Sequence, residues 1–236
     1  MTAYNVLAAG DTALVVDFGN TVDLNVSAKV LALAGRLNDL KIDGVIETVP
    51  TIRSLSIYYE PLTVSAIRLE RQVADILEHL EEAPATGRTC EIPVCYDLEL
   101  APDLEQVAAQ CNLNPDQVIE IHCSRTYHVY MLGFLPGLAY LGDLAPQLAL
   151  SRRATPRPRI PAGSLGIGGK LTCIYPMATP CGWHVIGRSP ISLWDPNLTK
   201  GALLRAGDKV KFEPVSLREY RRACGIIAVA PADTSH

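Results

Sequence analysis

The residues of this chain with most chemistry to offer lie between Gly133 and Arg188. Gly133, Pro136, Gly137 and Gly142 open the stretch, and Pro161, Gly163, Gly166, Gly168 and Gly169 follow. Pro176, Pro180, Gly182 and Gly187 then lead to Arg188. Glycine lets backbone N–H groups approach a ligand closely or adopt a left-handed conformation. Clustered N–H groups form concavities that bind anions. The same residues also build tight turns between strands, so their density alone leaves scaffold and site equally open. Arg159 and Arg188 weigh toward the site, because a guanidinium forks onto a carboxylate or phosphate with two hydrogen bonds. Ser164, Thr172 and Tyr175 add hydroxyls, and Trp183 adds a flat apolar wall. This set suits a small polar substrate bearing a carboxylate or an amide. Surface arginines around a core tryptophan are the structural alternative.

Other chemistries fail on spacing. Gly168-Gly169-Lys170 has the look of a phosphate loop, but that motif needs Gly six residues before the Lys and Ser or Thr after it. Those positions hold Ser164 and Leu171. Gly166-Ile167-Gly168-Gly169 does not fit the dinucleotide fingerprint, and no G-x-S-x-G elbow is present. The histidines, His79, His122, His128, His184 and His236, show no metal-ligand spacing. Cys90, Cys95, Cys111, Cys123, Cys173, Cys181 and Cys224 include no C-x-x-C pair, so reduced and mostly buried thiols are expected. No catalytic residue and no metal site is assigned.

The elements that must position this segment fall into two groups. Tyr4–Ala8 and Thr12–Asp17 read as strands across the turn pair Gly10-Asp11. From Asp23 to Leu40, Val26, Val30, Leu33, Leu37 and Leu40 recur at helical spacing, with Asp23 or Asn25 as the cap. Val45–Val49 and Ser54–Tyr59 are strands, and Thr63–Glu82 is a second helix with Val64, Ile67, Val73, Ile76, Leu77 and Leu80 on one side. The order ββαββα predicts an α+β domain over residues 1–84, an antiparallel sheet with both helices on one face. Glu81 to Gly87 is the boundary. Beyond it Cys90–Tyr96 reads as a strand, Asp103–Cys111 as a helix, and Asn114-Pro115-Asp116 as the start of another. Helical period then gives way to short strand-like runs at Tyr127–Leu132, Leu165–Ile167, Leu171–Tyr175, His184–Ile186, Ser192–Trp194 and Lys209–Glu213. Residues 88–225 therefore read as a mostly-β barrel or sandwich, with 226–236 as a frayed tail.

Composition bounds the setting. At 48% hydrophobic and 19% charged residues, the chain is far from disordered. It has no apolar run near the ~20 residues that span a bilayer. Met1–Gly10 lacks the basic and apolar regions of an export signal, so a cytoplasmic location is expected. Charge is uneven: residues 1–150 carry 8 Lys/Arg against 20 Asp/Glu, while 151–222 carry 13 against 4. The basic segment lacks the aromatic interleaving of a nucleic-acid surface. It fits a small-anion site, docking between oppositely charged surfaces, or a solvated basic face.

Several longer motifs resemble one known family. Gly133-Phe134-Leu135-Pro136-Gly137-Leu138-Ala139-Tyr140-Leu141-Gly142 is similar to the "GFxPGxxYLG" signature shared by the B-type subunit of 5-oxoprolinase, the allophanate hydrolase subunit 1 domain and the Kip-type inhibitor of a sporulation histidine kinase. Arg159-Ile160-Pro161-Ala162-Gly163-Ser164-Leu165-Gly166-Ile167 resembles the next motif, and Gly182 to Pro190 the third. Gly10 to Gly19, Val49-Pro50-Thr51 and Arg53-Ser54-Leu55 continue the likeness, which runs from about residue 10 to residue 215. The resemblance implies a small α+β domain followed by a cyclophilin-like β-barrel. It implies a larger C-type partner subunit, related to allophanate hydrolase subunit 2, and an A-type subunit that completes ring opening to glutamate. It further implies ATP, shared with the partner because this chain has no phosphate loop, to activate the unreactive lactam of 5-oxoproline. Gly133, Phe134, Pro136, Pro161, Ala162 and Gly163 thereby join Arg159, Ser164, Thr172, Tyr175, Trp183 and Arg188 as substrate-binding candidates. Inhibition of a sensor histidine kinase, or a urea carboxylase or allophanate hydrolase type of carboxyltransferase role, are the alternatives. Leu171, Cys173 and Cys181 depart from the family pattern, which has Gln, Gly and Gly there. An amide is lost, and side chains stand where backbone would approach a ligand.

Overall fold

The computed structural model describes residues 4–80, 87–197 and 201–225, in two compact units, Met1–Arg88 and Thr89–His236. Most of the expected linker and the whole C-terminal tail, His236 included, lie outside the described residues.

In the first unit, helix α1 (Leu24–Leu40) starts at Asp23, whose carboxylate accepts the amides of Asn25 and Val26 at 2.8 and 3.2 Å. These are donors that no helical carbonyl can serve. The strands are β1 (Asn5–Ala8), β2 (Ala13–Asp17), β3 (Val45–Pro50) and β4 (Ser54–Tyr59), and the second helix is α2 (Ala66–Glu78). They give the expected ββαββα order, and the sheet is antiparallel throughout in the order β1-β2-β4-β3. Val16, Leu55 and Ile57 on one face of the sheet share a core with Val30, Leu33 and Leu37 of α1 and Val73 of α2, so both helices cover that face.

Helix α2 is shorter than its apolar period predicts. Ser65 caps it by accepting the Arg68 amide, and Val64 turns back to pack with Leu69, a hydrophobic staple across the cap. Ile67 and Leu40, both expected on an apolar stripe, are 63% and 48% exposed. Ile67 lies in the first turn, where Leu69 and Val73 take the covered side. Leu40 is the last helical residue before Lys41 turns left-handed at φ 44°. The Arg53 of the second N-terminal motif is a clasp: it donates to the Gly19 carbonyl at 2.9 Å and to the Asn20 side chain, fixing the chain between β2 and α1.

In the second unit the elements are β5 (Thr89–Val94), α3 (Leu104–Gln110), α4 (Pro115–Cys123), β6 (Thr126–Leu132), β7 (Ala139–Gly142), β8 (Arg157–Ile160), β9 (Ser164–Gly168), β10 (Leu171–Ile174), β11 (Thr179–Cys181), β12 (His184–Arg188), β13 (Lys209–Pro214) and α5 (Leu217–Ala223). Seven strands form one sheet in the order β12-β9-β10-β7-β6-β13-β5, with β13 parallel to β5 and the other pairings antiparallel. Cys95, just past β5, exchanges two 2.8 Å backbone hydrogen bonds with Arg188 of β12. The sheet therefore curls into a half-barrel whose outer strands touch at one bridge. β8 and β11 pair separately.

Some local expectations change. Ser192–Trp194 makes only an isolated bridge from Trp194 to Ala202. Helix period does return, in α5, where Ser216 and Glu219 form a reciprocal capping box.

The half-barrel separates two cores. Val129, Leu141, Leu165, Ile167, Ile186 and Phe212 pack with Leu104 and Val107 of α3 and Val118 of α4. Leu138, Ile160, Cys173, Tyr175, Cys181, Trp183 and Val185 form the second. Because side chains alternate along a strand, β10 sends Ile174 into the first core and Cys173 into the second.

A polar chain crosses the first core. Thr172 Oγ1 donates to the Gly166 carbonyl at 3.0 Å, so it accepts from His122 Nε2 at 3.2 Å. That leaves His122 Nδ1 to accept the Tyr96 hydroxyl at 3.0 Å, and the Tyr96 oxygen accepts the Cys123 thiol at 3.4 Å. His122 is fully buried against Phe212, with ring centroids 4.8 Å apart, and desolvation pushes its pKa down to about 3. The chain ties α4 to the sheet and keeps the imidazole neutral.

Candidate active site

The β6–β7 hairpin carries the first motif. Gly133 accepts the Leu135 amide at 2.9 Å, Leu135 accepts the Leu138 amide at 3.1 Å, and Gly133 donates to Leu138 at 3.1 Å. This tight path puts Phe134 at φ 69°, a conformation that bulky residues rarely adopt, and leaves its ring 67% exposed. Below it lies a cavity of about 130 Å³ lined by Phe134, Tyr140, Arg152, Tyr175, Trp183 and the two thiols of Cys173 and Cys181, with Leu138, Pro180 and Gly182 completing the wall. The Tyr140 and Trp183 rings meet edge-on at 6.0 Å.

Glycine serves the walls of this cavity more than any ligand. A Cβ on Gly168 would stand 2.8 Å from the Trp183 ring, so its absence is what lets the indole lie flat on β9. The thiols and Tyr175 form one knot. Cys181 Sγ donates to the Tyr175 hydroxyl at 3.2 Å and accepts the Trp183 amide at 3.2 Å, and Cys173 lies on the same wall. Burial raises the Cys173 thiol well above its usual range, and the Tyr175 phenol likewise, with the two thiols adding to the rise. Neither group ionises near neutral pH, so the floor is uncharged and the cavity's cation is Arg152 at its rim.

The residues singled out in the sequence separate into four places. Phe134, Tyr175 and Trp183 line the cavity, and Gly133 and Pro136 shape the hairpin that holds Phe134. Pro161, Ala162, Gly163, Ser164 and Arg188 form a backbone knot instead. Gly163 sits at φ 80°, donates to the Tyr175 carbonyl at 2.7 Å and accepts the Ser189 amide at 2.8 Å; an added Cβ would meet Ser189 O at 2.2 Å. Ser164 Oγ donates to the Pro161 carbonyl at 2.7 Å, and Arg188 Nε to the Ala162 carbonyl at 2.9 Å. Thr172 points into the opposite core toward His122. Arg159 is exposed on β8 and does not line the cavity.

Sequence reading missed Arg152, Tyr140 and Asp103. Asp103 is 1% exposed and accepts Arg153 at 2.6 Å, Arg157 at 2.5 and 2.7 Å, and the Val185 amide at 2.7 Å. Burial alone would raise its pKa, but the Arg157 and Val185 hydrogen bonds and both arginine charges outweigh it and hold the carboxyl below its usual range. The only signal in sequence was the density of Arg from 152 to 159. The three cysteines Cys95, Cys173 and Cys181 are buried, Cys224 is exposed, and Cys90, Cys111 and Cys123 are half-buried. Among the described residues, no helix is long and apolar enough to cross a membrane.

Residues 4–204 match the family described as carboxyltransferase domain, subdomain C and D. The chain is 39% identical over 231 residues to the B-type subunit of 5-oxoprolinase from Bacillus subtilis (strain 168), an alignment covering 92% of this chain and 95% of that protein. It is 43% identical over 209 residues to the corresponding 5-oxoprolinase component of Escherichia coli O157:H7, covering 87% and 93%. Among solved structures it resembles TTHA0988 with a TM-score of 0.78 at 36% identity over 86% of this chain; it spans 40% of that longer protein. Motifs, fold and near full-length similarity agree, and the chain belongs to the carboxyltransferase domain family, subdomains C and D.

Proposed function

We propose that this chain is the B-type component of an ATP-dependent, cytoplasmic 5-oxoprolinase, acting with a C-type subunit and handing its product to an A-type subunit for ring opening to glutamate. The observation that carries this reading is its likeness, over nearly the whole length of both chains, to two B-type components of 5-oxoprolinase. The cavity is compatible with it. Its aromatic walls suit the faces of a small flat lactam, and Arg152 offers a partner for a carboxylate. ATP is proposed to be shared with the C-type subunit, because this chain carries no phosphate loop. This chain's contribution is to hold and orient the lactam and to keep water from it, which needs a cation and apolar walls and no nucleophile. Alone, the chain should turn nothing over.

The test is reconstitution. The chain is co-purified with a C-type subunit, an A-type subunit is added, and ATP-dependent release of glutamate from 5-oxoproline is followed. Release that requires all three subunits supports the proposal. No release from the full complex sinks it, and release by this chain alone sinks the division of labour.

A further inference from the structure

Three arginines stand close together in the chain, Arg152, Arg153 and Arg157, and the fold treats them differently. Arg153 and Arg157 both end on Asp103. Arg152 makes no ion pair among the described residues, and it is the cation on the wall of the cavity. Asp103 is the N-cap residue of α3, where a carboxylate ordinarily caps its own helix. It makes no such bond. Both oxygens are turned instead to the two guanidiniums and the Val185 amide, and its own amide donates to the Val185 carbonyl at 3.0 Å.

The node has a definite consequence for Arg152. Arg153 is anchored twice, by its guanidinium on Asp103 and by its amide on the Gly182 carbonyl at 2.8 Å. The peptide that joins Arg152 to Arg153 is thereby pinned beside Gly182 and Trp183, on the cavity wall. One carboxylate against two guanidiniums also leaves the node with surplus positive charge, which favours an anion nearby. Arg152 is close enough to Tyr140 for its charge to oppose the rise in that phenol's pKa, which burial first and Cys173 second produce.

We propose that Arg152 binds the carboxylate of the small acid held in the Phe134–Trp183 cavity, and that Asp103 is a positioning residue that fixes Arg152 through Arg153. The identity of the acid as 5-oxoproline rests on the reading above; the roles of Arg152 and Asp103 are tested separately from it.

The full chain is co-purified with its C-type subunit, and affinities are measured by calorimetry for 5-oxoproline and for 2-pyrrolidinone, the same lactam without a carboxylate. Arg152→Gln should weaken 5-oxoproline about 10- to 100-fold, the loss of a charge-assisted pair, and leave 2-pyrrolidinone unchanged. Arg152→Lys should recover part of the loss. Asp103→Asn, and the milder Arg153→Gln, should weaken 5-oxoproline by about tenfold with 2-pyrrolidinone again unchanged. Wild-type affinity in Arg152→Gln overturns the role of Arg152. Equal losses for both ligands in Asp103→Asn and Arg153→Gln make the node merely structural and overturn positioning. A wild-type complex that binds both lactams equally has no carboxylate contact, which overturns the roles of Arg152 and Asp103 and leaves the 5-oxoproline reading standing; one that binds neither overturns that reading and this proposal with it.

Discussion

Acid should unfold the second unit through one imidazole. His122 has no exposed surface, and its pKa is lowered to about 3 from an ordinary value of 6.5. Between these values the unfolded chain binds a proton that the folded one excludes, so stability rises with pH there and is lost as pH falls. The stabilisation is complete above the unfolded pKa near 6.5 and is gone at the folded pKa near 3. At about 1.4 kcal/mol per pH unit, the full window is worth about 5 kcal/mol, and the step from pH 7.5 to 5.0 about 2 kcal/mol. Replacing His122 by Gln removes the titration while still offering an acceptor to Tyr96 and a donor to Thr172. Both tryptophans, Trp183 and Trp194, lie in this unit, so their fluorescence reports on its unfolding. Urea titrations at the two pH values should show the wild type losing about 2 kcal/mol more than His122→Gln, because carboxyl groups common to both proteins cancel. Equal losses in the two proteins would refute the assignment of a buried neutral imidazole.

Gly163→Ala combines a left-handed backbone with a Cβ 2.2 Å from the Ser189 carbonyl and should destabilise the second unit by about 2 kcal/mol or more in urea titrations. A midpoint equal to wild type would contradict the close approach. Gly168→Ala should displace the Trp183 ring, lowering stability by about 1–3 kcal/mol and shifting Trp emission in the folded protein; an unaltered spectrum would show that the indole does not rest on β9. Cys224 is exposed while Cys173 is buried with a raised pKa, so maleimide should label Cys224 within minutes and Cys173 only on unfolding. Fast native labelling at Cys173, mapped by mass spectrometry, would mean that the cavity floor is open.

The first unit was almost wholly legible in the sequence, because its contacts are local and periodic. The recurrence of Val30, Leu33 and Leu37 at helical spacing and the alternation of Leu55, Ile57 and Tyr59 each need only a few neighbouring residues to fix an element and its inward face. Asp23 and Asn114 announce helix starts because capping is a bond to an amide two or three residues away. The Gly133–Arg188 segment was legible as a source of clustered residues, since Phe134, Tyr175 and Trp183 do meet at one cavity. The tertiary structure alone decided which of its other residues face that cavity. Thr172 and Cys173 are neighbours on one strand and point to opposite cores, and the side that holds the cavity is defined only once the seven strands have curled. Of the arginines in this segment, Arg152 lines the cavity, while Asp103, far upstream in the chain, holds Arg153 and Arg157. The parallel pairing of β5 with β13, from opposite ends of the unit, likewise has no local signature. Periodicity fixes what a segment wants to be; which charges pair, and which face a side chain shares, depends on contacts between residues that the chain keeps far apart.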